Sequence, residues 1–166
     1  MDLINNYFNT TIDFTNHFYP PAAPGEVEDA EELLEIEFPS DYKNFLQVSD
    51  GFEGFINKFF IRLIPAGYIY ENTQDYCSEF FPWAIYLGTN AGGEMIVLDK
   101  RNEPLQFGMI PYLGTDEDLI ILGDTFEAFI VSLYNDEVFG DDMEPGERHQ
   151  GDPEEDIDED VDDLDR

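Results

Sequence analysis

Phe38-Pro-Ser-Asp-Tyr-Lys-Asn-Phe-Leu-Gln-Val-Ser-Asp-Gly51 carries the punctuation of one short buried helix. Pro39 disfavours the α region for Phe38 and removes a backbone donor, so it stops whatever precedes it. Ser40 stands where an N-cap belongs, its hydroxyl placed to accept from an orphan N–H of the next turn. Tyr42, Phe45 and Leu46, with Ser49 next in the series, recur at helical spacing and give one apolar face. Asp50-Gly51 ends the helix, Gly51 being free to take the left-handed conformation. Nothing in the stretch is a catalytic constellation.

Upstream, Val27, Ala30, Leu33 and Leu34 fall at helical spacing within residues 26–36, with acids elsewhere and glutamates near the start. That pattern predicts an amphipathic helix. A Pro-Pro-Ala-Ala-Pro-Gly run at 20–25 closes an N-terminal extension, residues 1–25, whose first part is polar with scattered aromatics. Downstream the pattern changes. Residues 55–64 alternate as a strand, stopped by Pro65-Ala-Gly67, and 71–76 reads as a short helix or loop. Residues 83–88 and 94–99 flank Thr-Asn-Ala-Gly-Gly as the arms of a hairpin. A turn at 100–104 leads to a strand near 105–110, and 118–123 is a short strand or extended connection. Asp124, with Glu127 three residues on, has the spacing of a capping box. It opens a helix to Tyr134 whose buried stripe is Phe126, Phe129, Ile130 and Leu133. Helices, then strands, then a closing helix predict a single α+β domain over 26–135 with a largely antiparallel sheet.

The 166 residues suffice for one domain with a real core. Aromatics make up 15% of them, enough to build that core from Phe and Tyr. A single cysteine, Cys77, cannot form an internal disulfide, so nothing points to an oxidising compartment. The first eight residues lack the basic and continuous apolar regions of a secretory leader. No apolar run approaches the ~20 residues of a membrane span. The expectation is a soluble, cytoplasmic protein without a membrane partner.

Acids outnumber bases 39 to 7, a formal charge of −32. From residue 136 onward there are 16 acids and 2 bases; before it there are 23 and 5. The domain is therefore acidic in its own right. Such a surface repels nucleic acid, whose phosphates need cations, and anionic membranes as well. It attracts basic proteins and accelerates encounter with them; solubility or a salt-adapted host explains it equally well. Residues 136–166 form an acidic tail, and 140–166, Gly, Pro and acids, are too polar to offset their ordering entropy, which predicts disorder. Ile157, Val161 and Leu164 nevertheless share a helical face, which leaves open folding on a partner.

Motifs for chemistry are sparse. A Cys–His pair would need Cys77 with His17 or His149, and no Asp or Asn is placed to orient the base. Thr89-Asn-Ala-Gly-Gly-Glu94 lacks the Gly-Lys-Ser/Thr ending of a phosphate loop and leads into a strand, so it reads as a turn. Asp156, Asp158, Asp160 and Asp162 alternate like a calcium loop, but position six is Val161 and position twelve falls beyond Arg166. Asn9-Thr10-Thr11 fits a glycosylation acceptor, idle without secretion. The chain is expected to be no enzyme, with no cofactor and no specific metal site.

Three segments together resemble the SUKH superfamily, shared by bacterial immunity proteins and fungal glucan-synthesis regulators. The first is Phe38-Pro-Ser-Asp-Tyr-Lys-Asn-Phe-Leu with Asp50-Gly51, where many members have Asn-Gly. The second is Trp83, Tyr86-Leu-Gly88 and Gly92-Gly-Glu-Met-Ile-Val-Leu-Asp99, similar to the family's central hairpin. The third is Leu122-Gly-Asp-Thr-Phe-Glu-Ala-Phe-Ile130, similar to its closing helix. The likeness covers roughly 26–134. It implies a non-enzymatic protein whose bacterial relatives neutralise toxins, many of them nucleases or deaminases. Pro39, Tyr42, Phe45, Gly51, Trp83, Gly88 and Gly93 are then structural signature residues, and the partner surface does not carry over.

The first expectation is an immunity protein that blocks a cognate toxin with a basic cleft. The second is an acidic regulatory scaffold of the fungal type. Loops at 50–54, 68–79 and 90–94 are the expected contact surface, with Asp50, Glu53, Glu71, Asp75, Glu79 and Glu94 as its acids.

Overall fold

The computed structural model describes residues 3–8 and 16–135. The expectations placed on the acidic tail, on His149 and on Asn9 lie outside the described residues.

The 38–51 stretch forms a helix, α3 (Ser40–Val48), with Tyr42, Phe45 and Leu46 buried. Before it come α1 (Leu3–Tyr7), a two-residue strand β1 (His17–Phe18) and α2 (Glu26–Leu34). After it come β2 (Phe52–Ile56), β3 (Phe59–Leu63) and, beyond a single 3-10 turn, α4 (Ile69–Tyr76). The chain continues through β4 (Ala84–Asn90), β5 (Glu94–Asp99), β6 (Gln106–Pro111) and β7 (Ile120–Gly123) to α5 (Phe126–Tyr134). The seven strands form one antiparallel sheet in chain order, so each strand pairs with its sequence neighbours. That is the α+β arrangement expected.

The pairing register sorts side chains onto two faces. Ile85, Leu98 and Phe107 lie opposite one another in β4, β5 and β6; Tyr86, Val97 and Gly108 form the next row. Because side chains alternate along a strand, the rows point to opposite faces. On the Phe107 face sit α3 and α5: Phe107 packs against Tyr42, Phe126 and Phe129 at centroid distances of 5.3–5.9 Å. Phe45 joins Phe126 at 4.9 Å and stacks on Phe8 at 5.6 Å. Phe8 in turn touches Phe18 and Phe52, so residues of the N-terminal extension contribute to this core.

Several local expectations are corrected. Ser40 is the first helical residue and makes no cap bond; Pro39 holds the cap position, its carbonyl accepting from the Tyr42 and Lys43 N–H groups. The helix ends at Val48, with Ser49 in extended conformation. Buried Ser49 accepts from the Tyr19 N–H and donates to the Gly51 carbonyl, tying the helix end to the incoming chain. Gly51 has φ +116°, and a Cβ there would lie 2.6 Å from the Leu63 carbonyl oxygen, so glycine is required by close approach as well as by φ. Residues 55–64 are not one strand but parts of two, turned at Asn57-Lys58 with Asn57 at φ +56°. The cap of α5 is Thr125, whose hydroxyl accepts from the Ala128 N–H, rather than Asp124. The remaining first-turn donors of α5, the Phe126 and Glu127 N–H groups, go to the Asp41 carboxylate of α3 at 3.0 and 2.9 Å. Leu33, one step round α2 from Leu34, is exposed.

Candidate functional site

The site is built where β3 and β4 part. Their ladder covers Gly88, Thr89 and Asn90, and the Ile64 N–H still reaches the Leu87 carbonyl at 3.0 Å. Pro65 then turns the chain away, leaving the Tyr86 N–H without a strand partner. α4 fills the gap: Thr73 Oγ1 accepts that N–H at 2.9 Å. Ile69, Thr73 and Cys77 form its inward stripe at i, i+4, i+8. The Cys77 thiol is buried and pushed up to about 12 by burial, so it is protonated at neutral pH. His17 is exposed on β1, its ring edge-on to Tyr19 at 4.6 Å.

The neighbouring stripe, Asn72 and Tyr76 of α4 with Tyr68 at its cap, carries the site. Tyr76 stacks on Tyr86 at 5.0 Å and meets Tyr112 edge-on at 5.6 Å. The Tyr86 and Tyr112 hydroxyls are hydrogen-bonded at 2.9 Å. Burial, then the Tyr112 bond, raises the Tyr86 phenol well above the ordinary tyrosine range, with Arg62 pulling the other way. A cleft of about 450 Å³ opens beside this cluster, lined by Tyr19, Arg62, Tyr68, Asn72, Tyr76 and Tyr86 among others. Arg62 makes no salt bridge with any described residue. Leu113, next to Tyr112 in the chain, is 99% exposed. A second hollow runs between Phe80, itself 71% exposed, and the 114–117 turn.

Carboxylates fringe these rings. Glu71, Asp75 and Glu79 are exposed along α4 and its exit; Asp116, Glu117 and Asp118 are exposed on the β6–β7 connection. That connection is held in shape by a capping box between Thr115 and Asp118 and by the Trp83 indole N–H donating to Asp116 at 3.0 Å.

The six acids expected at the contact surface divide. Glu71 and Asp75, one turn apart on α4, and Glu79 just beyond it are all exposed. Asp50 is buried, its carboxylate accepting from the Ala66 N–H at 2.7 Å. Glu94 is 4% exposed and accepts from the Asn90 side-chain amide at 2.9 Å, so it closes the hairpin turn rather than facing a partner. Glu53 is half-buried on β2, between His17 and Arg62 in register.

The signature residues are placed as scaffold. Tyr42 and Phe45 are core residues of α3, and Pro39 precedes it. Gly88 lies at the β4 irregularity, against the Arg62 carbonyl of β3. Gly93 turns the hairpin at φ +87°. Trp83 carries the Arg101 guanidinium over its ring at 4.0 Å. Sequence reasoning missed the tyrosine cluster; the signal present was Tyr68 and Tyr76 at i, i+8 on one helix face. Among the described residues no three His, Cys, Asp or Glu side chains are grouped to hold a metal ion, and no helix is long and apolar enough to cross a membrane.

Comparison with known proteins fits this scaffold. The family model described as SMI1 / KNR4 family (SUKH-1) matches residues 21–132. The chain is also similar to "Uncharacterized protein YnaB" of Bacillus subtilis (strain 168), at 32% identity over 125 residues. That alignment covers 73% of this chain and 82% of the Bacillus protein.

Proposed function

The chain belongs to the SMI1 / KNR4 family (SUKH-1), and from that premise we propose that it is an immunity protein that neutralises a cognate toxin by binding it. It works by occupancy rather than turnover, in the cytoplasm of the producing cell. The toxin is one directed at nucleic acid, a nuclease or deaminase, and so presents a basic cleft. The observation that carries this reading is the folded domain's own charge, 23 acids against 5 bases before residue 136. An acidic inhibitor is steered towards a basic cleft and competes there with the substrate's phosphates. Co-expression with the toxin encoded beside it is expected to yield a co-purifying complex and cells protected from killing. Absence of both sinks the proposal.

A second reading, an acidic regulatory scaffold of the fungal type, is favoured by the 16 acids beyond residue 135. Deleting 136–166 separates the two. A toxin inhibitor keeps most of its affinity, whereas a scaffold that binds through its tail loses it.

A further inference from the structure

We infer that the face built by α4 and the β6–β7 connection is the docking surface, and that it receives an arginine- or lysine-bearing loop of a basic protein. This rests on the partner-binding reading above and adds the surface and the chemistry of the segment that fills it.

Isolated exposed apolar side chains are ordinary, whereas contiguous ones rimmed by polar groups mark interaction sites. Tyr68, Tyr76, Phe80 and Leu113 are all exposed. They are connected: Tyr68 and Tyr76 line one cleft, Tyr76 touches Tyr112, Leu113 follows in the chain, and the next turn faces Phe80 across the second hollow. Two of the other exposed apolar groups lack this continuity. Leu33 stands among the exposed acids Glu28, Asp29 and Glu32 of α2 and Glu35 at its C-cap, and Tyr134 packs edge-on against Tyr7.

The patch is also rigid. The stacked Tyr76–Tyr86 pair, the hydroxyl pair with Tyr112 and the Thr73 bond beneath fix its central rings before any partner arrives. A partner then binds without ordering them, which spares the entropy that weakens loose surfaces. Tyrosine and arginine are the residue types that most often dominate interface energy.

Charge selects the occupant. Tyrosine faces attract guanidinium and ammonium groups. Glu71, Asp75 and Glu79 on α4 and its exit, with Asp116 and Glu117 on the β6–β7 connection, supply the counter-charge. Arg62 in the cleft has donors to offer to a backbone carbonyl of the inserted loop, a demand that a protein segment meets.

The test uses the full chain, isotope-labelled, titrated with nona-arginine amide at low salt and followed by amide NMR shifts. The largest shifts are expected at Tyr68, Asn72, Tyr76, Phe80 and Leu113. Tyr76→Ser and Leu113→Ser are expected to weaken binding by about tenfold each, the scale of interface anchors. Reversing Glu71 and Asp75 together to Lys weakens it further, and the same reversal at Glu28 and Glu32 on α2 has little effect. These positions are exposed, and an unchanged far-UV spectrum verifies that each variant is folded. Shifts spread evenly over the acidic surface, or equal loss in the α2 variant, overturn the surface. Protection from the toxin separates the two proposals. A Tyr76→Ser/Leu113→Ser variant that protects as well as wild type overturns this surface and leaves the immunity function standing. Wild type that fails to protect overturns the immunity function instead.

Discussion

Asp41 joins two helices that are 85 residues apart in sequence. Its carboxylate accepts from the first two N–H groups of α5, while Thr125 takes the third. A charge at a helix N-terminus is favourable for the dipole as well as for the bonds. Asp41→Ala is expected to lower unfolding stability by about 2 kcal/mol in urea denaturation, since it orphans two donors; Thr125→Ala costs about 1 kcal/mol. Two other aspartates titrate in opposite senses. Burial works to raise Asp99, but the Arg101 side chain and N–H hold it below the ordinary value of 3.8. Its contribution is therefore complete above that value and is lost as pH falls through its lower folded value. Burial raises Asp50 against the Ala66 N–H bond; its contribution is greatest below 3.8 and is lost as pH rises through the raised value. Carboxyl carbon shifts in an acid titration are expected to show Asp99 titrating below Asp50. Arg101→Ala moves the Asp99 midpoint upward and leaves that of Asp50 in place.

Elements with strong local periodicity were legible in the chain: α3 from Tyr42, Phe45 and Leu46, the β4–β5 hairpin from its Gly-Gly turn, and α5 from its four buried positions. What escaped depended on which residue pairs with which, something the linear pattern does not display. Phe55 to Ile64 looks continuous because Asn57-Lys58 is too brief to interrupt it, and only the pairing of Phe55 with Phe60 reveals a hairpin. The acids of the α4 edge were legible as acids, but the tyrosine cluster needs Tyr86 and Tyr112 from two separate strands. Glu94 follows two glycines and reads as a loop residue until Asn90 is seen to enclose it. Thr73 belongs to the same class, a helical residue standing in for a missing strand. Thr73→Val is expected to cost about 1–3 kcal/mol by leaving the buried Tyr86 N–H unpaired, and Thr73→Ser to recover part of that loss. Gly51→Ala, at positive φ and against the Leu63 carbonyl, is expected to be destabilising by about 1–3 kcal/mol. Thermal melts of the three variants check both expectations.

For the whole molecule, an excess of 32 negative charges means that folding brings like charges together. Raising salt from about 10 mM to about 150 mM shortens the screening length from roughly 30 to roughly 8 Å, and the melting temperature is expected to rise with it. Calorimetry showing no rise would mean that the carboxylates are already too far apart to repel. The Asp41 clamp has a further consequence, for the order in which the protein is made. The signature helix is synthesised early, yet the side of Tyr42 and Phe45 that Phe126 covers stays open until α5 arrives. A chain terminated before residue 126 therefore leaves the ribosome with this part of its aromatic core uncovered, a substrate for proteases and chaperones. Completion of α5 is the step at which that core is first closed.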